Sequence, residues 1–350
     1  MKALLTINEK IIDVTSSKTV FFPLNYFLNK IVREDTCFVC GAERGSKDFD
    51  DEHIIPKWVL RNFNLQERRI TLLNKKSFIY SKYKIPCCKD CNKELGQAYE
   101  EPLSHKLKLK YNDLEKNVDD NFKKLLFKWM SLIFIKTHLK DKEVRFDEDR
   151  RSKSVQNSEL YDWGIMHHVH CIARSYYTSA VIEDSVYGSL LIIPMIEKEG
   201  EPFDFFDSIT GRVIYIRLGD YAIIAVLDDS GICEKVINQD LEKIGKNRLS
   251  ALQVREIISK LISINLHILN RPEYYSTINK NNEYFIYSKI PKKIYFSNPQ
   301  KIRKTQGRFL KIFIEKIPTL NFDEEYLDKI KDNKISFIFD QNGNFKNNSN

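Results

Sequence analysis

Two Cys-x-x-Cys pairs, Cys37/Cys40 and Cys88/Cys91, constrain this chain more than any other feature. Two such pairs fit the tetrahedron of a structural zinc site, with Zn–S bonds of about 2.3 Å. One pair is weak evidence. Two pairs, in a chain whose first ten residues are too polar for a signal peptide, point to Zn²⁺ rather than to disulfides. Four thiolates leave no open coordination position, so the ion's role is to hold the chain together. Cys87 is a spare thiol. A Cys87/Cys91 pair is the alternative, but the two-residue spacing favours Cys88.

Between the pairs lies Asp51-Glu52-His53-Ile54-Ile55-Pro56, and Asn92 follows the last cysteine. This constellation resembles the HNH (His-Me finger, ββα-metal) endonucleases. The form it matches is the four-cysteine one of phage recombination endonuclease VII and restriction-type HNH proteins. The resemblance covers residues 35–103. It implies a zinc-stabilised ββα-metal domain whose helix runs over 88–101 and stops at Pro102. It also implies His53 as general base, and Glu52 and Asn92 as holders of one catalytic Mg²⁺ or Mn²⁺. The implied substrate is DNA, double-stranded, in a restriction or anti-phage setting. The chemistry suits these residue types. Phosphodiester hydrolysis needs a proton acceptor for water, charge on the phosphate and stabilisation of the departing 3′ oxygen. A histidine with a pKa near 6.5 supplies the first, and a hard cation with oxygen ligands supplies the others.

Three departures from the family pattern stand out. Glu52 occupies the usual place of Asp. The place of a middle Asn or His holds Tyr83-Lys84-Ile85-Pro86, which leaves a backbone carbonyl or the distant Asn74 to orient His53. Glu100, eight residues past Asn92, lies about 80° around the helix, where it either approaches the metal or ends the helix in solvent. Adjacent strand residues face opposite sides. Glu52 and His53 therefore meet one ion only if the string bends near Pro56. A catalytically inactive zinc module that binds nucleic acid or a protein is the alternative.

A chain of 350 residues is expected to hold two domains. We read an α+β organisation: a lead-in over 1–34, the zinc domain over 35–103 and a helical connector over 104–149. A mixed domain with a mostly antiparallel sheet follows over 150–350, with the boundary in the charged run at 147–154. Strands are expected at 189–194, 212–217 and 221–227, and helices at 162–180 and 241–269. Strands and loops are expected over the last eighty residues, with a frayed tail at 342–350. The second domain is read as a sensor, a target-recognition module or a surface for a protein partner or homo-oligomer. Net charge is +8, and residues 1–150 carry 29 Lys and Arg against 23 Asp and Glu. That excess leans toward a polyanion, although a Lys/Ile/Asn-rich composition explains it as well. Arg68, Arg69, Lys106, Lys108 and Lys110 either meet phosphates or form a solvated face. No apolar run of about 18 residues is present, so a cytoplasmic protein with no membrane span is expected. The cluster His167-His168-Val169-His170 is expected to be structural.

Overall fold

The computed structural model describes residues 3–347 except 73–75, 143, 146–150, 152–155, 157–158, 160, 198–200, 316 and 318–321. The chain is mixed α+β with antiparallel sheets. In order, it begins with β1 (Leu4–Ile7), β2 (Lys10–Asp13), β3 (Lys18–Phe21) and α1 (Leu24–Tyr26). Next come β4 (Glu52–His53), α2 (Lys57–Asn62), β5 (Arg69–Thr71), β6 (Ser77–Ile79) and β7 (Lys84–Ile85). Helices α3 (Lys89–Leu95), α4 (Glu101–Lys106), α5 (Tyr111–Glu115), α6 (Asp120–Asp141), α7 (Trp163–Ala173) and α8 (Ser175–Thr178) follow. The remainder is β8 (Val181–Ile182), β9 (Leu190–Pro194), β10 (Phe203–Ser208), β11 (Val213–Leu218), β12 (Tyr221–Val226), α9 (Ile232–Ile244), α10 (Ala251–Leu266), β13 (Glu273–Ile278), β14 (Tyr284–Lys289), α11 (Pro299–Glu315) and α12 (Glu324–Lys331).

Two compact units form. One holds residues 1–108, 119–186 and 274–287, the other 109–118, 187–273 and 288–350. The division expected near residue 150 therefore falls inside the first unit. The reason is packing: α6 is buried on nearly every side from Leu126 to Leu139, and α7 covers it. The charged run at 147–154, like Asn74, lies outside the described residues apart from Arg151.

In the first unit, Asp119 caps α6 by accepting the Phe122 amide at 2.6 Å, which satisfies one of the helix's free donors. Trp129 on α6 stacks on Trp58 of α2 at 6.3 Å. Tyr83 donates to buried Asp141 Oδ1 at 2.8 Å. The helix after Cys88 does not stop at Pro102. It passes through a π-helical turn, Gly96–Glu100, into α4, where Pro102 occupies the first turn. Proline has no N–H to give to the preceding turn, and it sits directly after the π-helical turn, where the regular bonding register is already interrupted. β5 and β6 pair antiparallel as a hairpin, with Ile70 opposite Phe78.

In the second unit a four-stranded sheet runs β10-β11-β12-β9. β11 and β12 are buried at every residue, with α9 and α10 on one face. The strand β10 escaped the sequence reading because Phe203-Asp204-Phe205-Phe206-Asp207 breaks alternation at an edge. The helix expected over 241–269 is two helices, separated at Gly245 with φ +57° and restarted by a Ser250/Gln253 capping box. The last eighty residues contain α11 and α12 rather than strands and loops alone. The tail expected to fray is tied down as far as Lys346. Asp340 accepts the amides of Asn342 and Asn344, and Phe345 packs on the core.

Candidate metal centre and acidic site

The first cysteine pair sits in a tight turn. The Gly41 amide donates to the Cys37 carbonyl at 2.8 Å, and Gly41 takes φ +72°, which glycine adopts without steric cost. Phe38 N of this turn donates to Pro86 O at 3.3 Å, and the segment leading to β4 is tied to the second pair by Asp50 N to Cys87 O at 2.9 Å and Lys89 N to Asp48 O at 2.8 Å. Cys88 precedes α3 and Cys91 lies in its first turn. The sulfurs of Cys37, Cys40, Cys88 and Cys91 all lie within 4.8 Å of one another. A zinc tetrathiolate requires S···S edges of about 3.8 Å, and Cys40 and Cys88 are 3.8 Å apart. The donor set thus fits a metal such as zinc. Among the described residues it is the one group of three or more such side chains able to hold an ion. Cys87 stands just outside, its Sγ 4.0 Å from that of Cys37. Packed together, the thiols compete for one charge. Hydrogen bonds from Cys40, Cys87, Cys88 and Cys91 pull the Cys37 thiol far down, and Cys37 in turn pushes Cys88 and Cys91 up.

The three histidines of α7 form the next layer, not a second metal centre. His170 donates to the Phe38 carbonyl at 2.6 Å, inside the cysteine turn, and His167 to the Phe22 carbonyl at 2.7 Å. His168 stacks on Tyr274 at 3.9 Å. Burial, aided by the Arg174 charge, holds His170 well below its ordinary pKa. Below about pH 6.5 the unfolded chain takes up a proton at this site that the folded chain refuses, so stability falls as pH drops. Between pH 7.5 and 5.5 the wild type is expected to lose about 1 kcal/mol more than His170→Gln, whose amide keeps the donor. Denaturant titrations of both proteins at the two pH values check this.

Glu52 and His53 are both buried on β4, paired antiparallel with β7 as Glu52↔Ile85 and His53↔Lys84. The ladder is two residues long, and the chain bends at Ile54–Ile55 before Pro56. The bend falls after both residues, so it does not itself turn the Glu52 and His53 side chains to one side of the strand. Sequence reasoning missed the partner of Glu52. Lys136, wholly buried on α6, donates to Glu52 Oε1 at 2.7 Å and to the His53 carbonyl at 2.7 Å. An ammonium stripped of water needs such acceptors. The signal was one lysine inside the apolar run Ile133-Phe134-Ile135-Lys136.

Burial first, and then the nearby Glu52 charge, push the pKa of the Glu100 carboxyl up to about 7. Its Oε1 is shut off from solvent with no hydrogen-bond partner among the described residues. His53 is held down to about 4, by burial first and then by the Lys84 charge, and its Nδ1 also has no partner. Asn92, on α3, donates its amide to the Asp50 carbonyl at 3.2 Å. That bond fixes which way the amide faces and leaves the side-chain oxygen for another group. The structure thus brings Glu52 together with Lys136 and Glu100, with His53 next to Glu52 on β4, while Asn92 is tied to Asp50, two residues before Glu52. Of the basic residues, Lys106 lies over the Phe122 ring, Lys110 pairs with Glu197, and Arg69 bonds to Ser77. Of these three contacts, the pair with Glu197 offsets a charge, while the ring and hydroxyl contacts leave theirs intact.

No family model, curated protein or solved structure matches the chain. Among the described residues, no helix is long and apolar enough to cross a membrane.

Proposed function

We propose that this chain is a metal-dependent HNH-type endonuclease that hydrolyses DNA phosphodiester bonds from a zinc-stabilised ββα-metal domain. The observation that carries the reading is Glu100 buried near Glu52, the strand neighbour of His53, on a framework gathered by four thiols. The order β4, β7, α3 supplies two strands and a helix, as that fold asks. Glu100 Oε1, buried and unpartnered, suits a hard cation. We assign Glu52 and Glu100 to that cation, with the Asn92 side-chain oxygen as the third candidate. Bound there, Mg²⁺ or Mn²⁺ neutralises the phosphate and the departing 3′ oxygen. His53, neutral at pH 7 because its pKa is about 4, takes the proton from the attacking water. The water oxygen bonds to phosphorus, the P–O3′ bond breaks, and the 3′ oxygen gains a proton from solvent. Lys136 holds Glu52 and the His53 backbone in place. A nuclease that reads few base edges would damage its own cell's DNA, so restriction or anti-phage defence is the proposed setting, with the second unit choosing when or where cutting occurs.

Supercoiled-plasmid nicking tests the reading. Mg²⁺ is expected to support nicking and chelation to stop it. His53→Ala is expected to slow it by roughly 10²–10⁴-fold with zinc content unchanged. Equal rates for His53→Ala and wild type would remove His53 from the mechanism. One observation favours the second reading, an inactive zinc module: Lys136 already places a cation on Glu52. DNA binding indifferent to Mg²⁺, with no cleavage of any substrate, would decide for it.

A further inference from the structure

The second unit carries a charged face with no counterpart in the acidic site. From Lys289 to Lys311 the sequence holds eight Lys and Arg and no Asp or Glu. Most of this stretch is α11, whose buried residues are Gln306, Gly307, Leu310, Phe313 and Ile314. Gly307 is required there, since a Cβ would lie 2.2 Å from the Lys331 carbonyl at the end of α12. That close approach fixes which side of α11 faces outward. At about 100° per residue, Lys301, Lys304 and Arg308 share the face opposite Leu310, along about 10 Å of axis. All three are exposed, and none has a side-chain salt bridge or hydrogen bond among the described residues. Lys311, by contrast, is matched by Glu324 and Asp328. Asp332, within electrostatic reach of Lys304, is held by Lys334.

Like charges three and four residues apart destabilise a helix, and cations near its N-terminal end oppose the helix dipole. Among the described residues no ion pair or side-chain hydrogen bond offsets this cost, which points outward. We infer that the Lys301/Lys304/Arg308 face docks on the phosphate backbone of double-helical DNA. Duplex DNA presents one negative charge per about 1.7 Å of axis, so a row of about 10 Å meets several phosphates. A bilayer is a poorer fit, because the apolar side of α11 is already buried in the core. The identity of the polyanion as substrate rests on the nuclease reading. The binding does not.

The test uses the full chain in EDTA with a 30-base-pair duplex of arbitrary sequence, read by fluorescence anisotropy from 50 to 300 mM KCl. K301Q/K304Q/R308Q is expected to lower the slope of log K against log salt by about 2.7, at 0.9 per phosphate contact. If the two proteins converge near 1 M salt, that slope means binding several hundredfold weaker at 0.1 M. The melting temperature should not fall, because the substitutions remove like-charge repulsion, and Lys116→Gln, on an exposed lysine already paired with Asp113, should bind as wild type. A triple variant with wild-type affinity and slope overturns the proposal. So does a wild type that prefers phosphatidylserine vesicles or polyglutamate to DNA. His53→Ala that binds but does not nick, beside a triple variant that does not bind, separates failure of this surface from failure of the nuclease reading.

Discussion

Cys91→Ser is expected to unfold the first unit and to reduce bound zinc from one ion per chain to almost none. A structural tetrathiolate contributes folding free energy outright, about 10 kcal/mol or more at pH 7, and whole domains are stable by only about 5–15 kcal/mol. The four sulfurs join a turn at residues 37–41 to the start of α3, and few backbone bonds cross between them. Loss of the ion therefore frees β4 from its frame. Calorimetry with metal analysis reads both effects, and a strong chelator should reproduce them in the wild type. Cys87→Ser makes the contrast, because its sulfur lies outside the group of four. It should keep the ion and cost no more than about 1–2 kcal/mol, the loss of a small buried side-chain interaction. A Cys87→Ser protein that lost zinc while Cys88→Ser retained it would reverse the assignment of the second pair. A Cys91→Ser protein that held zinc and melted as wild type would end the zinc reading altogether.

The parts of this fold that could be read in advance were those set by local rules. Spacing alone identified the four sulfurs. Strands β9, β11 and β12 announced themselves through runs of branched residues. What could not be read was set by partners far along the chain. Lys136 meets Glu52 across 84 residues, and no local pattern says which buried carboxylate a lysine on α6 will find. Glu100 approaches Glu52 from a helix that a π turn has rewound, so straight-helix arithmetic placed it only approximately. The helices α11 and α12 were hidden by Lys, Ile and Phe, which serve helix and strand about equally well until tertiary packing decides.

Lys136→Met should cost about 3–5 kcal/mol, because it leaves the Glu52 carboxylate buried without its cation. Glu52→Met alone should cost about as much, by orphaning the ammonium. The double variant should recover most of either loss, since replacing both members of a buried pair by apolar groups of similar volume is often neutral. Urea unfolding of the four zinc-loaded proteins measures the coupling, and additive costs would mean that the two side chains do not stabilise one another. The same variants reach the functional question. If Glu52 and Glu100 hold the divalent cation, Mg²⁺ bound beside them can replace the lost ammonium. Added Mg²⁺ should then stabilise Lys136→Met more than it stabilises the wild type, by RT ln(1 + [Mg²⁺]/Kd) for each. If Mg²⁺ leaves Lys136→Met unmoved, the carboxylates are not its site. Glu52 then serves only as the anchor of α6, and the chain is a zinc module that binds without cutting.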